Sequence, residues 1–174
     1  MKRNSVLVSV TVAALAIGAG RVHSAPITIA GGELDATITN ADVYVGVPAR
    51  ASVPPGSACR AAGRYVDHVR AGRFVELVEL FADDAVVLEP AGRTLRGRKE
   101  ISEFYTGTIG KLRPDVIDVA YTGDAIDCMV VLAVRIDIAG EPRYKLASVD
   151  HFTLNAAGKF IGMVAFARPS GAAK

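Results

Sequence analysis

Tryptophan is absent from this sequence, and cysteine and histidine are scarce: its 174 residues hold two Cys and three His. So few soft ligands leave no His, Cys, Asp or Glu grouping at metal-ligand spacing. No metal or organic cofactor is therefore expected. No glycine-rich phosphate loop appears, and no Ser or Cys stands in a nucleophile context. Basic stretches interleaved with aromatics are also missing, which argues against nucleic acid as a partner. Cys59 and Cys128 lie far apart in sequence. An oxidising compartment would permit a bridge between them; we read them instead as two small buried hydrophobes.

What is present begins with a basic start, Lys2 and Arg3, followed by an uncharged apolar run from Val6 to Gly20. That pattern predicts a secretory signal rather than a membrane span. Small residues at Val22 and Ser24 place the cut after Ser24, giving a secreted or envelope-side protein with no stable membrane insertion. The full chain has 20 basic and 18 acidic residues; without Lys2, Arg3 and Arg21 it has 17 against 18, a net charge of −1. Residues 25–57 form an Ala-, Gly-, Thr- and Pro-rich extension that ends in a linker-like Val-Pro-Pro-Gly-Ser run. A short strand is expected within Ala36 to Val47.

From Ser57, a potential cap, Ala58, Ala62, Tyr65, Val66 and Val69 recur at helical spacing until Gly72. A second helix is expected to present Phe74, Leu77, Val78 and Phe81, broken by Asp83-Asp84. Ala85 to Glu89 reads as a strand ended by Pro90, with a short return at Thr94-Leu95. Gly97 to Thr108 reads as a third helix that buries Ile101, Phe104 and Tyr105. Strands then follow over Asp115 to Thr122, Ala125 to Ile138, Arg143 to Leu154 and Lys159 to Phe166. Gly123-Asp124, Gly140 and Asn155 to Gly158 supply the turns between them. Helices first and a long meander afterwards predict an α+β cone: a curved antiparallel sheet of about six strands against three helices. One domain, residues 58–168, would carry it, with 169–174 as a tail.

Three residues stand out for chemistry. By alternation, Leu146, Ser148, Asp150, Phe152 and Leu154 share one strand face. A carboxyl in that company, with no basic partner beside it, is pushed toward the neutral, hydrogen-bond-donating form. Open solvent, or an Arg from another strand, would remove that push. Glu89 closes an apolar strand and is a candidate general base in a cleft; a strand end that simply reaches water is the plainer alternative. Tyr65 lies on the apolar helix face, so its hydroxyl needs a buried partner, and Tyr105 could supply it. His68 and His151 look peripheral.

Together these residues resemble one family. Arg64-Tyr65-Val66, Leu80-Phe81-Ala82-Asp83-Asp84-Ala85, Glu103-Phe104-Tyr105, Asp150-His151-Phe152 and Asn155 with Gly158-Lys159 follow the ketosteroid isomerase pattern in order. The likeness runs from about Ala58 to Phe166, within the wider SnoaL-like and nuclear transport factor 2-like superfamily. It implies that Tyr65 and Asp150 donate to a developing oxyanion, that Tyr105 supports Tyr65, and that Phe104, Phe152 and Met163 line the pocket. That family is itself the standard example of a carboxylic acid kept neutral by an apolar site; the residues here add the apolar company of Asp150. The resemblance further implies a small apolar ketone or steroid-like ligand and a homodimer formed through the open sheet face. One position departs: the family has Asp-Pro where this chain has Glu89-Pro90. A SnoaL-like cyclase or dehydratase of another substrate, and a non-catalytic binder of apolar molecules, are the alternatives.

Overall fold

The computed structural model describes residues 43–136 and 142–167, together with the backbone of 28–29 and 32–33. The expected signal segment, the C-terminal tail and the Gly140 turn lie outside the described residues. In chain order the elements are β1 (Thr28–Ile29), β2 (Gly32–Glu33), β3 (Val43–Val45), α1 (Ser57–Ala71), α2 (Phe74–Val78), β4 (Phe81–Leu88) and β5 (Thr94–Arg96). They continue with α3 (Gly97–Glu103), a π-helical stretch (Phe104–Ile109), α4 (Gly110–Leu112), β6 (Asp115–Gly123), β7 (Asp127–Arg135), β8 (Arg143–Leu154) and β9 (Phe160–Ala167). The sheet order is β5-β4-β9-β8-β7-β6, with β3 added to β8, and β1 pairs β2 separately. The α+β architecture expected from the sequence is the one observed. One neighbouring pair, β4 with β9, runs parallel.

Helix α1 covers the concave face. Ala58, Ala62, Tyr65, Val66 and Val69 are all buried along one stripe, as a 3.6-residue period requires. Gly72 ends it with φ 65°, a left-handed conformation in which glycine carries no Cβ penalty. The start differs from expectation. Gly56 occupies the N-cap, and the Ser57 hydroxyl donates instead to the Ala125 carbonyl at 2.6 Å.

Three further expectations are corrected. Phe81 belongs to β4 rather than to the second helix, and Asp83-Asp84 lie within that strand. Pairing of Phe81 with Phe160 on β9 decides this, a long-range contact to which local periodicity is blind. Leu146 does not share a face with Asp150. A bulge in β8 between the Leu132–Ser148 and Ala133–Leu146 pairs inserts one residue and reverses the alternation. Leu146 therefore packs with Ile117, Val119, Ala133 and Tyr144 on the opposite side of the sheet.

The cysteines also differ from expectation. Cys59 and Cys128 are bonded as a disulfide, their Cα atoms 5.1 Å apart, a separation a bridge can span. The first turn of α1 lies directly over the β6–β7 hairpin. Glycine at 123 permits that approach, since a Cβ there would stand 2.3 Å from the Asp127 carbonyl oxygen and 2.9 Å from the Cys59 sulfur. The bridge ties the helix that carries Tyr65 to the strand paired with that of Asp150.

Candidate active site

Between α1, the π-helical stretch and the concave sheet face lies a cavity of about 230 Å³. Tyr65, Glu89 and Asp150 all line it, as do Tyr105, Phe104 and Met163. Phe152 does not. It lies beneath Tyr65, ring centroids 4.9 Å apart, as part of the core that holds that ring. Apart from Ser148 the remaining wall is apolar, including Val87 from β4, Val116 from β6, Leu132 and Val134 from β7 and Ala165 from β9. Leu112 and Ile136, about half exposed, form its rim.

Asp150 enters from β8 with 3% exposure. Its Oδ1 has no hydrogen-bond partner, and none of the ion pairs among the described residues involves it. Neither solvent nor an arginine relieves it. Burial raises its carboxyl to about 7, against a smaller opposing effect of the Ser148 hydroxyl. Near neutral pH a large share of the molecules thus carry a protonated acid aimed at an apolar space, which is a hydrogen-bond donor.

The Tyr65 and Tyr105 hydroxyls are 2.8 Å apart, and Tyr105 can also donate to the Met163 sulfur at 3.5 Å. With Tyr105 donating to Tyr65, the Tyr65 proton is free to point into the cavity. Burial above all, then Tyr105 and Asp150, pushes the Tyr65 hydroxyl well above its ordinary value. It remains a neutral donor. Phe104 and Tyr105 are both buried although adjacent in sequence. The π-helical stretch that begins at Phe104 offsets the turn around them, a distortion frequent at functional sites.

Glu89 follows β4 directly and is 9% exposed. Its two carboxylate oxygens accept from the backbone amides of Ala91 (3.1 Å) and Arg93 (3.0 Å). The loop is closed by Glu89 N–H donating to the Arg93 carbonyl and Gly92 N–H to that of Glu89. Arg93 lays its guanidinium over the Phe104 ring at 5.4 Å. The acid thus curls onto its own turn, which fixes where its extra methylene goes.

Ser148 and the amides of the 89–93 turn are parts of the site that sequence pattern does not single out. Ser148 was detectable as a hydroxyl two residues before Asp150 on the same strand. The amides carry no signal in side-chain identity. His68 accepts from Arg73, and His151 pairs with Asp127. Neither histidine lines the cavity. Among the described residues no group of three or more His, Cys, Asp or Glu could hold a metal ion.

Residues 62–163 match the model of the SnoaL-like domain family. The chain belongs to this family. Within it, this SnoaL-like chain is 34% identical over 113 residues to a steroid Delta-isomerase of Nocardioides simplex, spanning 63% of this chain and 88% of that one. Solved structures share the fold. The epoxide hydrolase/cyclase-like enzyme SalBIII, described in pyran ring formation in the polyether salinomycin, aligns with a TM-score of 0.55 at 24% identity, over 64% of this chain and 90% of its own. RV0760c of Mycobacterium tuberculosis, solved in complex with estradiol-17beta-hemisuccinate, gives 0.57 at 18% identity, over 66% and 96%. A computationally designed 17-OHP binder gives 0.56 at 17% identity, over 66% and 93%.

Proposed function

We propose that this SnoaL-like protein moves a carbon–carbon double bond into conjugation with a ketone, on a steroid or a similarly apolar substrate. One observation carries the reading: a carboxylate acceptor, Glu89, and two hydroxyl donors, Tyr65 and the protonated Asp150, line a single cavity with apolar walls. The steroid Delta-isomerase relative supports the reaction class. Glu89 removes a proton α to the ketone. Charge builds on the carbonyl oxygen, and Tyr65 and Asp150 donate to it. Fixed donors at the point where charge develops lower the barrier. The proton held by Glu89 then returns further along the conjugated system, so no net proton is gained or lost. The apolar wall excludes water that would compete for the enolate.

Incubation of the purified protein with a β,γ-unsaturated 3-ketosteroid should produce the conjugated-enone absorbance. Glu89→Gln should lower kcat by about 10² to 10⁴, the usual contribution of a general base. Absence of turnover in the unaltered protein overturns the reading.

A second reading rests on the Glu89 turn. Both oxygens of the acid already accept hydrogen bonds, which suits a binding protein of the same ligand class; tight binding of a steroidal phenol without turnover selects it. We further place the protein outside the cytosol, cut after Ser24, a location that suits the Cys59–Cys128 bond. Sequencing the N-terminus of the exported protein tests this. Dimerisation through the outer sheet face, where Met129 and Phe166 stand 43% and 59% exposed, is tested by light scattering.

A further inference from the structure

A second cavity, of about 390 Å³, adjoins the rim of the first. It lies between the end of α1 and the end of α4. Val69 and Pro114 line both cavities and form the partition between them. Its character differs, although Val69, Ala71 and Phe74 contribute apolar surface to it as well. Where the first is walled by hydrocarbon, the second is lined by the cations Arg70 and Arg113. Neither arginine makes an ion pair among the described residues. The acids nearest to them in sequence are engaged elsewhere: Asp67 with Arg50, and Asp115 with Arg135 and Tyr144.

Arg113 carries a second mark. Its φ is 46°, and it is the sole non-glycine residue with positive φ among the described ones. A left-handed residue after a helix is ordinarily glycine, because a Cβ is unfavourable there. An arginine at that position gives up backbone ease for a side chain, and Arg113 lines the second cavity.

From this arrangement we infer that the substrate is an apolar ketone whose far end carries a carboxylate, held by Arg70 and Arg113. The inference rests on the isomerase reading for the orientation of the ligand. With the ketone between Tyr65 and Asp150, the opposite end of an elongated molecule leaves past Leu112 and Ile136 beside the two guanidinium groups. Guanidinium forks match a carboxylate with two parallel hydrogen bonds. Arg70 stands in the last turn of α1 and Arg113 directly follows α4, positions where a cation adds a little stability. That role alone would not discriminate between substrates.

The test compares two β,γ-unsaturated 3-ketosteroids that differ only in the side chain, one ending in a carboxylate and one in a methyl group. The acid should show the lower KM. In Arg70→Gln/Arg113→Gln its KM should rise about tenfold to a hundredfold, the usual scale for charged hydrogen bonds. The KM of the neutral substrate and both kcat values should hold within about twofold. Arg113→Gly provides a variant certain to suit the backbone, since glycine accepts the positive φ; it should lose part of the acid preference without loss of Tm. Equal KM values for the two substrates overturn the inference, as does an acid preference that survives both variants. If neither steroid is turned over, the isomerase reading fails alone. Calorimetric binding of the two saturated analogues then decides: tighter, arginine-dependent binding of the acid upholds the subsite, and equal binding overturns it.

Discussion

Two aspartates are buried on this sheet, and they live in opposite surroundings. Asp118 of β6 is fully buried, yet Arg50 donates to both its oxygens at 2.5 and 3.0 Å, and Tyr121 adds a third bond at 2.6 Å. Arg50 reaches on to Asp67 of α1 at 2.9 Å. The Asp118 carbonyl is bound too, by the Ala51 amide. Asp118 is thus a clamp that fastens the segment before α1 to the cone. Asp150 of β8, nearly as buried, has no cation and an unpartnered oxygen. Burial alone does not mark a site; burial without a compensating cation does, because it drives Asp150 toward the neutral, donating form.

The contrast can be broken from either side. Asp150→Ala should cost about 10² to 10³ in kcat, the scale of one lost oxyanion donor, and should leave the protein folded. Arg50→Ala should do the reverse, leaving kcat near its starting value and lowering stability by about 3 kcal/mol. That figure is the low end for breaking a buried pair, since water can replace the partly exposed Arg50. Denaturant unfolding measures it. An equal loss of activity in Arg50→Ala would dissolve the distinction.

Protonation sharpens it further. The raised Asp150 carboxyl contributes stability that is fully present below its unfolded value near 3.8 and is lost as pH rises through about 7. Thermal unfolding should therefore show Tm falling between about pH 4 and 7, and Asp150→Asn should flatten that slope. Activity should fall on the alkaline side with a midpoint near 7 as the donor ionises. The smallest effect is expected at Ser148. Its hydroxyl holds the Asp150 carboxyl lower than burial alone would, so Ser148→Ala should move the alkaline limb upward.

Much of this site is legible in the chain. Tyr65 on its helical stripe, Tyr105 as its partner and Asp150 among apolar neighbours all follow from period and composition, and the bounds Arg143 to Leu154 are those of β8. Other features depend on contacts between distant segments. Simple alternation misplaces Leu146, because a bulge is a property of the ladder and not of one strand. Helical spacing claims Phe81, whose strand depends on pairing with the distant β9. The Cys59–Cys128 bond and the Arg50–Asp118 clamp each join residues almost seventy positions apart. The turn that grips Glu89 uses backbone amides, which any sequence possesses.

The central claim is that the cavity holds a neutral carboxylic acid. It is tested most directly by following the side-chain carboxyl carbons of 13C-labelled aspartate by NMR across pH. The account predicts one aspartate titrating near 7, absent from Asp150→Asn and displaced by a bound steroidal phenol. A spectrum in which every aspartate has finished titrating by about pH 5, close to ordinary carboxyl values, would contradict it.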